Sequence, residues 1–223
     1  MIVELVEAAE EQLGGKAAGL ARLQRLGLPV PPAVVLPVGA GLDDPGEIVR
    51  RLGEPLAVRS SALDEDATER SAAGQYETVL DVRHDGLADA VAHVRAGTQR
   101  ARAYGAEAEV AVILQRQVPA TKSGVAFTRD PLTGEDVAVV ECAFGRGDAV
   151  VSGDVTPDRY RVRNGHVHAR VAGALRTLRD DELERLLALV RDAETGFRLP
   201  LDVEFCFERT KIWLLQARPI TTG

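Results

Sequence analysis

Lysine is scarce in this 223-residue sequence: only Lys16, Lys122 and Lys211 occur among 27 basic residues. A lysine kept beside glycines, as in Gly14-Gly15-Lys16, is therefore a candidate for a specific task. Cysteine is scarcer still. Cys142 and Cys206 are the only two, each in an apolar strand-like run without CxxC or metal-ligand spacing, so they read as reduced core residues. No stretch approaches the ~18 apolar residues that cross a bilayer. The start, Met1-Ile2-Val3-Glu4-Leu5, lacks a basic segment followed by a long apolar run, so no signal peptide and a cytoplasmic location are expected. Positive charge is also in deficit. A net charge of −7 and a pI near 5.2 argue against a nucleic-acid-binding face, so an anionic ligand must be met by local basic groups. What is present, 45% hydrophobic and 27% charged residues, suits a globular domain with a real core.

Residues 2–6 read as a short strand. Gly14-Gly15-Lys16 then opens a helix with Leu20, Leu23 and Leu26 on one stripe and Gly27 as its stop. Glycines and a lysine at a helix start favour phosphate, because backbone N–H groups and the dipole attract anions. A Walker A loop is excluded: Ala17 replaces Ser/Thr and the first glycine is missing. A plain N-terminal cap with a solvent lysine is the alternative. Leu28-Pro29-Val30-Pro31-Pro32 is an extended connector into a strand at 33–36, and a short helix is expected within 41–54. Leu56–Ser61 reads as a buried strand that delivers Arg59 beside two serines. An acidic, small-residue loop follows through Gly74 and Gln75 to a strand at 79–82; such a loop inside a compact domain is functional or disordered.

A helix is expected over 86–103, with strands at 109–118, 122–128 and 137–142. The run Val110–Leu114 ends in polar Gln115, the pattern of a buried strand delivering one polar group to its end. Gly145-Arg146-Gly147 follows a strand but lacks the third glycine of a dinucleotide fingerprint. Asn164-Gly165 joins strands at 158–163 and 166–171 as a hairpin turn. His166 and His168 alternate on one of them without a neighbouring carboxylate or cysteine, which reads as a solvated face rather than a metal site. A helix is expected over 180–195.

The last segment is a second hairpin, 202–207 with 212–219, around the polar run Glu208–Lys211. With the turn centred on Thr210, Glu204 lies opposite Gln216 and Asp202 opposite Arg218. Period-two alternation puts these four on one face and Val203, Phe205, Phe207, Trp213, Leu215 and Ala217 on the other. Opposed Cβ atoms about 4.5–5.5 Å apart let a carboxylate and an amide oxygen share one cation. Mg²⁺ takes one or two such protein ligands and completes its shell with phosphate and water. Arg218 would reach phosphate bidentately. The alternative is a half-exposed hairpin with a surface Asp–Arg pair.

These stretches, with Ser71–Gln75, Ser123–Pro131 and Val151–Asp158 between them, occur in an order that resembles the ATP-grasp nucleotide-binding domain of the phosphoenolpyruvate synthase, pyruvate phosphate dikinase and rifampin phosphotransferase family. The resemblance covers nearly the whole chain. It implies an α+β fold with mixed or antiparallel sheets and helices, its lobes about 1–105 and 106–223 flanking a nucleotide cleft. It assigns Lys16 and Arg59 to ATP phosphates, Gly74 and Thr78 to phosphate-side loop contacts and Gln115 to the adenine end. Glu204 and Gln216 resemble the Mg²⁺ ligands, and Arg218 the nearby phosphate contact. Lys16, Arg59 and Arg218 would thus be catalytic, with ATP and Mg²⁺ as cofactors. Family members pass the ATP β-phosphate to a histidine on a swivelling domain and release AMP and phosphate. No matching Thr-Ser-His segment is present here, so a separate phosphohistidine-domain protein is the expected partner. The stretch between Arg59 and Glu204 is shorter than the resemblance implies. A stand-alone small-molecule kinase and a non-catalytic nucleotide-binding subunit remain alternatives; no nucleic-acid or membrane partner is expected.

Overall fold

The computed structural model describes residues 2–7, 10–62, 78–102, 110–147, 155–171 and 173–220. The chain divides into two compact units: Met1–Arg25 with Pro31–Gln117, and Leu26–Val30 with Val118–Gly223.

The first unit is built on a five-stranded sheet, ordered β1-β2-β5-β3-β4, whose strands are β1 (Val3–Glu4), β2 (Ala33–Leu36), β3 (Leu56–Ala62), β4 (Thr78–Val82) and β5 (Val110–Arg116). Every pairing is antiparallel. Alternation sorts the side chains. Val34, Leu36, Leu56, Val58, Val112 and Leu114 share one face and form a core with Ile48 and Leu52 of α2 (Pro45–Leu52) and Leu87, Val91 and Val94 of α3 (Leu87–Arg102). The other face carries Ala33, Val35, Ala57, Ile113 and Ala111, against which α1 (Glu10–Arg25) packs. Helix α2 starts where the sequence dictates: Asp44 accepts a hydrogen bond from the Glu47 N–H at 2.9 Å and Pro45 opens the first turn.

The second unit holds a six-stranded antiparallel sheet, ordered β11-β10-β6-β7-β8-β9. Its strands are β6 (Lys122–Phe127), β7 (Ala138–Phe144), β8 (Asp158–Arg163), β9 (His166–Arg170), β10 (Leu201–Glu208) and β11 (Lys211–Pro219). Val203, Phe205, Phe207, Ala126, Val140, Cys142 and Tyr160 are buried on one face, which α4 (Asp180–Phe197) covers with Leu183, Leu186, Leu187 and Val190. Because each described strand pair is antiparallel, Gly145-Arg146-Gly147 is no dinucleotide-binding turn, which needs parallel βαβ geometry. No described helix is long and apolar enough to cross a membrane.

Lys122 ties α4 to the sheet. Its Nζ lies 2.6 Å from Oε2 of Glu182, with the two side chains 14% and 2% exposed. Burial works to raise the Glu182 carboxyl, but the hydrogen bonds from Lys122 and the Arg179 N–H prevail and hold it below the ordinary carboxylate value. A depressed folded value adds stability above the unfolded pKa of about 4.3, and that stability is lost as pH falls through the folded value. Glu182→Gln is therefore expected to cost about 2 kcal/mol near neutrality. The gap from wild type should close on acidification; thermal unfolding at stepped pH reads it.

Candidate functional site

In the first unit, three of the residues singled out above lie on one side of the sheet and a fourth on the helix that packs against that side. Arg59 pairs with Thr78 on one flank and Ile113 on the other, and Gln115 pairs with Ala33 and Ala57, so Arg59, Thr78 and Gln115 share the α1-facing side. Lys16 sits on α1, which is broken at Gly14 (φ 82, ψ 167), so a fresh helical segment begins there. That segment is capped from the sheet: the Ala17 N–H donates to Ser61 Oγ at 3.0 Å. Ser61 lies two residues from Arg59, so one strand end both positions the helix start and presents a guanidinium. Gln115 is buried, and its Nε2 donates to the Pro31 carbonyl at 3.4 Å. Gly74 lies outside the described residues.

Gly14 is what permits this junction. A Cβ there would stand 2.6 Å from the Ala62 carbonyl oxygen and 2.7 Å from the Ser61 backbone, at a φ that side chains rarely adopt. Gly14→Ala is expected to cost about 2 kcal/mol from the left-handed conformation alone. For a chain of this length that lowers Tm by about 5 °C, measurable by calorimetry.

In the second unit, the register of β10 and β11 places Glu204 opposite Gln216 and Asp202 opposite Arg218, as the sequence predicts. The route to that register differs. The loop is the two-residue Arg209–Thr210, with Arg209 at φ 57, and pairing starts at Glu208–Lys211. A shift between Glu204 and Phe205 leaves Leu215 as an extra residue on β11, and this bulge restores the Glu204–Gln216 pairing. The expected inward faces of Trp213 and Leu215 are therefore wrong. Trp213 pairs with Cys206 and so shares the Glu204 face, where it clusters with Val118, Cys206 and Leu215. Its indole Nε1 donates to Glu208 at 2.8 Å, and Lys211 Nζ lies 3.5 Å above the ring. Leu214 and Ile212 take the inward places beside Phe205 and Phe207.

The expected Asp202–Arg218 pair forms: Arg218 donates through Nε to Asp202 at 2.9 Å, which fixes the guanidinium on the strand. One member of this face escapes a reading of single segments. Glu141 joins the row that runs Gln216, Glu204, Val125, Glu141, Arg159 across four pairings. Only long-range register reveals it. Cys142, next in sequence, is no nucleophile: burial pushes its thiol up to about 12.

The donors fit a hard cation. Glu204 offers a carboxylate and Gln216 an amide oxygen from directly opposed positions. Among the described residues no group of three or more His, Cys, Asp or Glu could hold a metal unaided. Two protein oxygens with the rest of the shell from phosphate and water is the arrangement Mg²⁺ favours in nucleotide sites.

Comparison with known proteins agrees on family and fold. The family described as pyruvate phosphate dikinase, AMP/ATP-binding domain, matches residues 45–174 and 166–223. A probable phosphoenolpyruvate synthase from Archaeoglobus fulgidus is 35% identical over 75% of this chain and 27% of its own length. A rifampicin phosphotransferase from a Streptomyces species is 35% identical over 87% of this chain and 26% of its own. The chain thus spans about a quarter of the length of these relatives. Among solved structures, the D-alanine–D-alanine ligase of Bacillus anthracis complexed with ATP superposes with a TM-score of 0.52 at 10% identity, covering 93% of this chain and 55% of the ligase. The fold is ATP-grasp-like, α+β.

Proposed function

Because the chain belongs to the pyruvate phosphate dikinase AMP/ATP-binding domain family, we propose that it binds Mg·ATP and passes the β-phosphate to a histidine on a separate protein. With one water consumed, ATP and histidine yield phosphohistidine, AMP and inorganic phosphate. The observation that carries this reading is the β10–β11 register, which sets a carboxylate, an amide and a guanidinium side by side on one sheet face.

Each residue has a role in the proposal. Glu204 and Gln216 hold Mg²⁺, which would neutralise phosphate charge and orient the triphosphate. Arg218, oriented by Asp202, contacts phosphate oxygens. Lys16 and Arg59 serve as contacts to ATP phosphates, Gly74 and Thr78 as phosphate-side loop contacts, and Gln115 serves the adenine end. Phosphoryl transfer demands little of a protein beyond positioning and charge neutralisation, and these groups provide both.

Incubation with β- and γ-labelled ATP, Mg²⁺ and candidate histidine-bearing partners tests the assignment. The expected outcome is β-label on the partner, γ-label in inorganic phosphate, and AMP as the nucleotide product. ADP formed with a small-molecule acceptor alone would replace the proposal with direct kinase chemistry. Nucleotide binding without turnover under any pairing would reduce it to a regulatory role.

A further inference from the structure

The two sheets present four edges, and three of them are blunted. β1 is only two residues long. β4 shifts register near Asp81, a residue at φ 59 whose N–H and carboxylate bond the Gln117 side chain at 2.6 and 2.7 Å. β11 is bulged, and the Leu214 N–H donates to the Pro29 carbonyl at 2.8 Å. β9 differs. Its five residues keep unbroken register with β8, all five are exposed, and among the described residues no strand pairs with its outer side. Edges of this kind are ordinarily disabled by shortness, charge, proline or a bulge; β9 has neither proline nor bulge, and Arg170 is its one formally charged residue.

The geometry of the β8–β9 hairpin says which groups face outward. Asn164 and Gly165 have φ of 51 and 79, the type I′ loop of a two-residue hairpin. Arg163 and His166 are then a hydrogen-bonded pair, and alternation along the ladder turns the N–H and C=O of Val167 and Ala169 to the open side. Side chains divide as cleanly. His166, His168 and Arg170 stand opposite Arg163, Arg161 and Arg159 on one face, while Val167 and Ala169 share the other with Val162 and Tyr160. Glu141, Asp130 and Glu135 make ion pairs with the three β8 arginines. Among the described residues His166, His168 and Arg170 of β9 make none.

We propose that β9 is a docking edge that accepts an extended segment of a partner protein as a seventh strand, with acidic side chains alternating with apolar ones. Acids on the segment meet His166, His168 and Arg170; its apolar positions extend the Val167–Ala169 face; its backbone bonds Val167 and Ala169. Strand addition of this kind takes affinity from the main chain and specificity from alternate side chains. A second copy of this chain is disfavoured, because antiparallel self-pairing centred on His168 sets Arg170 against His166 and so offers its guanidinium no acid. The face of His166, His168 and Arg170 is the one that carries Glu204 and Gln216, with β9 about 19 Å from β10 at ordinary strand spacing.

The test uses the full chain and a labelled short peptide alternating valine with glutamate, beside its lysine counterpart, read by fluorescence anisotropy. The glutamate peptide is expected to bind at least ~10-fold more tightly. Ala169→Pro removes an outward N–H while sparing the β8 ladder, and should weaken that binding at least ~10-fold, whereas Ala169→Val should not. If the proline variant fails to fold, the double variant His168→Glu with Arg170→Glu gives an independent reading: the preference should reverse to the lysine peptide. Equal affinity for both peptides, no binding at millimolar concentration, or indifference to the substitutions overturns the proposal. Concentration-dependent self-association abolished by Ala169→Pro would assign the edge to a second copy and overturn it equally.

Discussion

Glu204→Ala is expected to lower the affinity for Mg·ATP at least ~100-fold, about 2.7 kcal/mol, while affinity for ATP in excess EDTA changes little. The split follows from the assigned role. A ligand to the metal contributes only when the metal is present, and a water that takes the place of a lost carboxylate on Mg²⁺ brings no negative charge. Gln216→Ala should act in the same direction by roughly 10-fold, since a neutral amide contributes less than a charged ligand. Glu204 is half-buried on the polar face and outside the apolar core around Phe205 and Phe207. The unfolding midpoint should therefore stay near wild type, so lost affinity would report the site rather than the fold. Isothermal titration with and without Mg²⁺, beside a thermal melt, reads both quantities. Equal losses in the two conditions would make Glu204 a general nucleotide contact and remove the metal assignment.

Gly124→Ala is expected to be the most damaging single-methyl change in the second unit. A Cβ at Gly124 would lie 1.9 Å from the Glu141 carbonyl oxygen and 2.8 Å from the Cys142 Cα. Those atoms belong to the paired strand β7, so relief requires β6 and β7 to part. β6 also pairs with β10, and Val125 sits between Glu204 and Glu141 in the cross-strand row. Overpacking of this kind costs about 3 kcal/mol, a fall of about 10 °C in Tm at this chain length. Gly173 is the matched control, because a Cβ there meets nothing within 4 Å. Gly173→Ala should stay within about 0.5 kcal/mol of wild type. Calorimetry on the pair decides whether close strand approach, rather than glycine content, holds this sheet together.

Local pattern exposed much of this architecture, and particular residues show where it stopped. Asn164-Gly165 and the leucine stripe of α4 each carry their structure in a few neighbouring residues, because turns and helical periodicity are short-range. The final hairpin is more instructive. Its Glu204–Gln216 and Asp202–Arg218 pairs come out in register although the loop is shorter than the polar run suggests, since the extra residue at Leu215 compensates. Alternation alone cannot register such a bulge, so it points Trp213 inward, whereas the residue stands beside Cys206 on the Glu204 face. Ser61 as the cap of α1 spans 44 positions, and Glu141 enters the row only through pairing of β6 with both β7 and β10. Neither relation leaves a local trace.

Trp213 provides the most direct test. It is the only tryptophan of the chain and stands on the same strand face as Glu204 and Gln216. Titrating wild-type protein with ATP while following its emission, once with Mg²⁺ and once with EDTA, asks whether this hairpin meets a metal-bridged nucleotide. A saturable change that is at least ~10-fold tighter with Mg²⁺ is the predicted result. Identical curves in both conditions, or nucleotide binding seen by calorimetry that leaves Trp213 untouched, would contradict it.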